Sequence, residues 1–177
     1  TAANDSSYYG LNARVGTAGL NGFGEQIQLT ADNLTISVNG TANDTDSVVD
    51  FSRFDNGKVT VTTGSGQNNT VDIAFQDRLL KAQGVITLAI DQYVYLKGTM
   101  AFEKGSTVQA TLTDQSSKEV SLIKLGASGV SGFVGTGFKN FVTDANGLSK
   151  PNNDALGLYI SDVAFGLALM QGTAAND

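Results

Sequence analysis

A chain of 177 residues with a net charge of −6 and no His, Cys or Trp is confined to a narrow set of chemistries. Without imidazole or thiol there is no structural zinc, blue copper, thiol catalysis or Ser-His-Asp hydrolysis, and no disulfide to brace a fold. Its 11 Lys and Arg are scattered singly among 17 Asp and Glu, so no basic stripe exists for a phosphate backbone and no nucleic-acid partner is expected.

An apolar fraction of 41% against 16% charged residues is the balance of a folded chain rather than a disordered one. The length suits a single module spanning 1–177, with ends that serve as inter-module linker or shared strand. No run approaches the roughly 18 apolar residues of a helical membrane span. The first residues lack the layout of a signal peptide, so any such segment is expected upstream or already removed.

In chain order, the periodicity is two almost everywhere, which predicts strands. Short alternating runs occur at Ile27–Leu29, Leu34–Ile36–Val38, Val49–Phe51, Val59–Val61 and Val71–Ile73–Phe75. Between two of these, Asp55-Asn56-Gly57 suits a tight hairpin of positive-φ residues. From Ala82, the residues Ala82, Gly84, Ile86, Leu88 and Ile90 share one face. After Asp91-Gln92, Val94, Leu96, Met100 and Phe102 share a face opposite Tyr93, Tyr95, Lys97 and Thr99, so the two runs read as a long hairpin. Further runs follow at Val108–Ala110–Leu112 and Ile123–Leu125. A polar loop then extends from Thr143 to Asp154 and holds the sole proline, Pro151. No window of ten residues has helical spacing. The expected fold is all-β, an antiparallel β-sandwich or distorted barrel of about ten or more strands.

Val163–Met170 departs from the pattern. Val163, Phe165, Leu167 and Leu169 are apolar, and so are Ala164, Gly166, Ala168 and Met170. A strand with two apolar faces is expected either at the centre of a closed core or beneath another module.

Residues 1–5, Thr-Ala-Ala-Asn-Asp, recur as residues 173–177. Two readings stand: head-to-tail tiling with a period of about 172 residues, or a favoured linker composition, since Thr41-Ala42-Asn43-Asp44 repeats most of it. Val15–Phe23 echoes Leu125–Phe133 in the same way, through either a duplication or a reused turn. Ser7-Tyr-Tyr-Gly-Leu-Asn-Ala13, Leu29-Thr-Ala-Asp-Asn-Leu-Thr-Ile-Ser-Val38 and Leu158-Tyr-Ile-Ser-Asp-Val-Ala-Phe-Gly-Leu-Ala-Leu-Met170 resemble long tandem repeats of giant, acidic, Cys-free bacterial extracellular proteins, the RTX-adhesin-like group. The resemblance implies an extracellular or cell-surface fibre repeat. The glycine- and aspartate-rich nonapeptides of calcium-binding β-rolls are missing from this chain, so that mechanism is not carried over.

Site candidates are sparse. Asp144, Asn146 and Asp154 offer oxygen ligands of the kind calcium takes, although turns select the same residues. No other cofactor is expected. Asn4, Asn33, Asn39, Asn43 and Asn68 each begin an Asn-x-Ser/Thr triplet and would accept glycans in a source that glycosylates its surface. Tyr8, Tyr9, Tyr93 and Tyr95 suit either strand packing or stacking on sugars. Glu103 stands beside an apolar strand, where a solvated hairpin end is the simpler reading than an acid catalyst, and no enzyme is expected. The partner expected is a second copy, joined head to tail by strand sharing. The N-terminal segment with Tyr8, Tyr9 and Leu11 and the late strand with Val163, Phe165, Leu167 and Leu169 are its candidates. A carbohydrate- or surface-binding module is the alternative.

Overall fold

The computed structural model describes residues 7–20, 23–24, 26–42, 47–66, 68–145, 147 and 149–173. Among them are eleven strands: β1 (Tyr8–Gly19), β2 (Ile27–Thr41), β3 (Val59–Thr62), β4 (Thr70–Ile73), β5 (Leu79–Ile90), β6 (Val94–Gly105), β7 (Val108–Thr111), β8 (Ser117–Thr136), β9 (Phe141–Thr143), β10 (Ser149–Pro151) and β11 (Leu156–Gly172). The fold is all-β and antiparallel, as the alternation predicts. The main sheet runs β1-β2-β5-β6-β8-β11, with β7 paired to the start of β8. It is open: β1 pairs only with β2 and β11 only with β8, so the barrel alternative falls and the arrangement is sandwich-like. The expected β5–β6 hairpin forms in register from Leu79–Gly105 to Ile90–Val94.

Strand register sorts the side chains of the main sheet onto two faces, because neighbours along a strand alternate while cross-strand partners share a side. One face carries Asn12, Ser37, Lys81, Glu103 and Lys124 in a single transverse row, with Thr99 beside Ser128 and Lys97 beside Ser131 further along. Two small sheets lie over the ends of this polar face. The β3–β4 hairpin and a preceding 3-10 turn bring Phe51 and Ile73 down on Gly10 of β1. A Cβ on Gly10 would stand 2.7 Å from the Phe51 ring, so the site accepts only glycine without displacing that ring. At the other end the β9–β10 hairpin places Phe138 and Phe141 on Tyr95 and Phe133, with centroids of 4.9 Å for Phe133–Phe138 and Tyr95–Phe138. Phe133 is 2% exposed, and such ring pairs add about 0.5–1.5 kcal/mol beyond the area they bury.

Three local expectations need correction. Val49–Phe51 is not a strand: Asp50 accepts the Ser52 amide and hydroxyl at 3.0 and 2.5 Å, a cap that turns the chain into the 3-10 turn Phe51–Arg53. Asn56 and Gly57 do adopt positive φ, 61° and 70°, and close a turn through Gly57 N–H to the Phe54 carbonyl, yet the turn joins the 3-10 segment to β3 rather than two strands. The polar loop around Pro151 holds a short ladder, with Pro151 at the strand end opposite Phe141, where its missing N–H is tolerated.

Asn39 is buried at 1% exposure, and its amide donates to the Val49 and Asp77 carbonyls, both at 2.9 Å. It ties the connections before and after the β3–β4 hairpin to β2. Its own Oδ1 and the Thr41 hydroxyl are buried and have no partner among the described residues.

Candidate assembly surfaces

The second face of the main sheet is apolar from end to end. Six transverse rows cross it. Ile27, Ile90, Val94, Val134 and Leu158 form the first, and Leu29, Leu88, Leu96, Gly132 and Ile160 the second. Ala18, Ala31, Ile86 and Gly98 reach Val130 and Val163 in the third, and Gly84, Met100, Ala127 and Phe165 make the fourth. The fifth is Ala13, Ile36, Ala82, Phe102, Leu125 and Leu167, and the sixth Leu11, Val38, Leu80, Lys104, Ile123 and Leu169. Lys104 is the one charge in these rows. No described element covers them: Leu158 is 83% exposed, Val134 62% and Phe165 55%.

Two open edges complete the picture. The expected assembly residues fall on them, Tyr8, Tyr9 and Leu11 in β1 and Val163, Phe165, Leu167 and Leu169 in β11. Tyr9 lays its ring across Gly40, and Leu11 and Leu169 end the same transverse row from opposite sides. The two-sided strand is therefore not central in a core; it is an edge, with both faces largely open. Bulges bend the sheet across its middle, at β2 between Asp32 and Thr35, at β6–β8 between Lys97 and Thr99, and at β11–β8 between Ile160 and Phe165. Asn33, Gly129 and Asp162 take the positive φ these bends require (52°, 58° and 52°).

Among the described residues the polar face holds charge but no converging acids. Glu103 Oε1 accepts from Lys124 Nζ at 2.6 Å, and Lys81 Nζ lies 3.7 Å from its other oxygen. The Lys124 hydrogen bond, helped by the charge of Lys81, holds this carboxyl below its ordinary range. Asp72 is lowered by hydrogen bonds from Lys58 and Thr60, and Asp50 by Ser52 and then Arg53. Burial among the rings pushes the Tyr95 hydroxyl upward. The ladder across β5, β6 and β8 was missed in the sequence, where Glu103 reads as a hairpin end. Lys81, Glu103 and Lys124 are far apart in the chain, and only pairing aligns them.

The remaining candidates scatter. Asp144 and Gly147 share the tip turn of the β9–β10 hairpin, Asp154 pairs with Lys139 at 3.1 Å, and Asn146 lies outside the described residues. Among the described residues no group of three or more His, Cys, Asp or Glu could hold a metal. Asn4 and Asn43 also lie outside the description, as do residues 1–5 and 174–177. Asn33 and Asn68 are exposed, whereas the burial of Asn39 and its two donated hydrogen bonds leave no room for a glycan in the folded chain. Tyr93 is exposed in the β5–β6 turn while Tyr95 is engaged with Phe138 and Phe141, so the two form no common stacking platform. Among the described residues no helix is long and apolar enough to cross a membrane.

Comparison with protein-family models, with curated proteins and with solved structures finds no match.

Proposed function

We propose that this chain is a structural module of an extracellular bacterial fibre or adhesin, and that its copies join edge to edge, β11 of one against β1 of the next. One observation carries the reading. The main sheet is a six-stranded antiparallel meander, so its two open edges run in opposite directions, and Tyr8 and Gly172 lie at the same end of it. Simple translation of a copy by one sheet width sets β1 antiparallel to the preceding β11, with Leu11 beside Leu169. Open edges present rows of N–H and C=O groups that such a neighbour satisfies.

The recurrent pentapeptide fits this geometry. If residue 173 stands one period beyond residue 1, the chain passes from Gly172 to the next Tyr8 through residues 173–177 and the equivalents of Ser6 and Ser7. A connection of that length is enough to join two neighbouring antiparallel edges. The resemblance to tandem repeats of surface proteins points the same way. A structural rather than catalytic role draws support from the carboxyls: those that shift are held low by Lys, Arg, Ser or Thr, the opposite of a general acid.

Because the chain has no Cys, a Leu11→Cys/Leu169→Cys variant tests the joint without background. Within one copy these positions are separated by five strand spacings, about 24 Å, too far for a disulfide. Across the proposed joint they are direct partners, about 4.5–5.5 Å apart at Cα. Oxidation should give a ladder of multimers on a non-reducing gel and filaments in electron micrographs. Monomers that stay unlinked under oxidising conditions, with no filaments, would rule the joint out.

A further inference from the structure

We propose that the apolar face of the main sheet is an interface with a second copy of this chain, packed face to face. The inference is independent of the edge joint. It rests on the uncovered rows of Leu, Ile, Val, Met and Phe rather than on the sheet edges or the repeated pentapeptide.

The extent of the face comes first. Along β5 it stretches from Leu80 to Ile90, about 34 Å at 3.4 Å per residue, and six strands span about 24 Å. The footprint is about 800 Å² per copy, or about 1,600 Å² for a pair, the size of a stable specific interface. The largest apolar patch on a typical monomer is only about 300–600 Å².

Chemistry and relief agree with that area. Lys104 stands in the outermost row, where it reaches the rim, so two copies meet without buried like charges. Small residues (Ala82, Gly84, Gly98, Ala127, Gly132) alternate with Phe102, Leu125, Met100 and Phe165, and the hollows they leave have volumes of about 290 and 350 Å³. Sheets that pack about 10 Å apart need such knobs and hollows to interdigitate.

A lipid bilayer is the competing occupant, and the open edges argue against it. Hydrocarbon does not tolerate unpaired backbone N–H and C=O groups, and a copy not joined at its edges, or the terminal copies of an edge-joined array, would carry an unpaired β1 or β11 into it. Water satisfies those edges when a second copy covers only the face.

The test is sedimentation of the whole chain, and of a Leu96→Lys/Leu125→Lys variant, with and without phosphatidylcholine vesicles. The unaltered chain should sediment at a multiple of the dimer mass, and the double variant should dimerise about a hundredfold more weakly or worse, with its far-ultraviolet circular dichroism retained. Should that variant misfold, Met100→Cys offers a second route. A bis-maleimide of about 10 Å should link Met100→Cys chains into pairs and stop there, since each copy presents one thiol, whereas the edge variant forms a ladder. A chain that sediments as a monomer and gives no linked pairs would overturn the proposal. So would flotation with vesicles without pairing, which would give the face to lipid. Loss of the edge ladder with pairs intact would strike the edge joint alone.

Discussion

The polar and apolar faces of the main sheet are made by the same strands, residue by alternate residue, yet one is furnished and the other bare. Over the polar face lie the β3–β4 and β9–β10 hairpins and the segments leading into them, whose Phe51, Ile73, Phe138 and Phe141 find cover against Gly10, Tyr95 and Phe133. Between them run the Lys81–Glu103–Lys124 ladder and rows of Ser and Thr that water satisfies. The apolar face has longer hydrophobic rows and no cover from any described element, although Val130 and Ala127 in its middle rows are buried. The chain thus places its own tertiary packing where the sheet is polar, and no described element packs on its most hydrophobic surface. Uncovered apolar surface is unfavourable in water at about 25 cal/mol per Å².

The contrast can be broken most sharply by truncating one large residue on each face. Phe133→Ala removes a ring that is 2% exposed and stacked on Phe138, and we expect a loss of about 3–5 kcal/mol by chemical denaturation. Leu158→Ala, at 83% exposure, should change the stability of the separated chain by less than about 0.5 kcal/mol. Equal losses at the two sites would mean that the apolar face is already covered.

A smaller effect sharpens the tie between β2 and the hairpin above it. Asn39→Ala deprives two carbonyls of their donors and should destabilise by about 2–3 kcal/mol. Thr41→Val beside it removes a buried hydroxyl that has no partner, so it should be neutral or stabilise by about 1 kcal/mol. Thermal midpoints of the two variants should therefore move apart, and a shared fall would show that the Thr41 hydroxyl is bonded in solution.

The least effect belongs to the charged ladder. Glu103 has its folded pKa depressed, so the stability it contributes is present above its ordinary value of 4.5 and lost as pH falls through the lower folded value. Glu103→Gln should cost under about 1 kcal/mol near neutrality, given the partial exposure of all three partners. The difference from the unaltered chain should vanish in acid. A gap that widened on acidification would reverse the sign and contradict the ion ladder.

Much of this was legible in the chain. Two-residue alternation from Ala82 to Phe102 gives the β5–β6 hairpin and the division of its side chains between faces, since the pleat allows no other assignment. Less legible was anything set by partners distant in sequence. Val49–Phe51 alternates like a strand, but the Asp50–Ser52 cap and the burial of Phe51 under β1 turn it instead. Val163–Met170, apolar on both sides, carries the signal of a strand that is central or covered by another module and lies at an edge, because periodicity reports what a face would bury and not whether anything is there to bury it. Glu103 gains its two lysines only once β5, β6 and β8 are in register.

By itself, then, the sequence determined a Cys- and His-free antiparallel β chain with an apolar and a polar side to most of its long strands and two apolar sides to Val163–Met170, because composition and the pleat are local properties. Strand order, the two open edges, the hairpins lying over the polar face and the bareness of the apolar one were decided only in three dimensions. Those features depend on which distant segments meet, and hydrogen-bond pairing between strands is blind to the side chains until the whole sheet has chosen its neighbours.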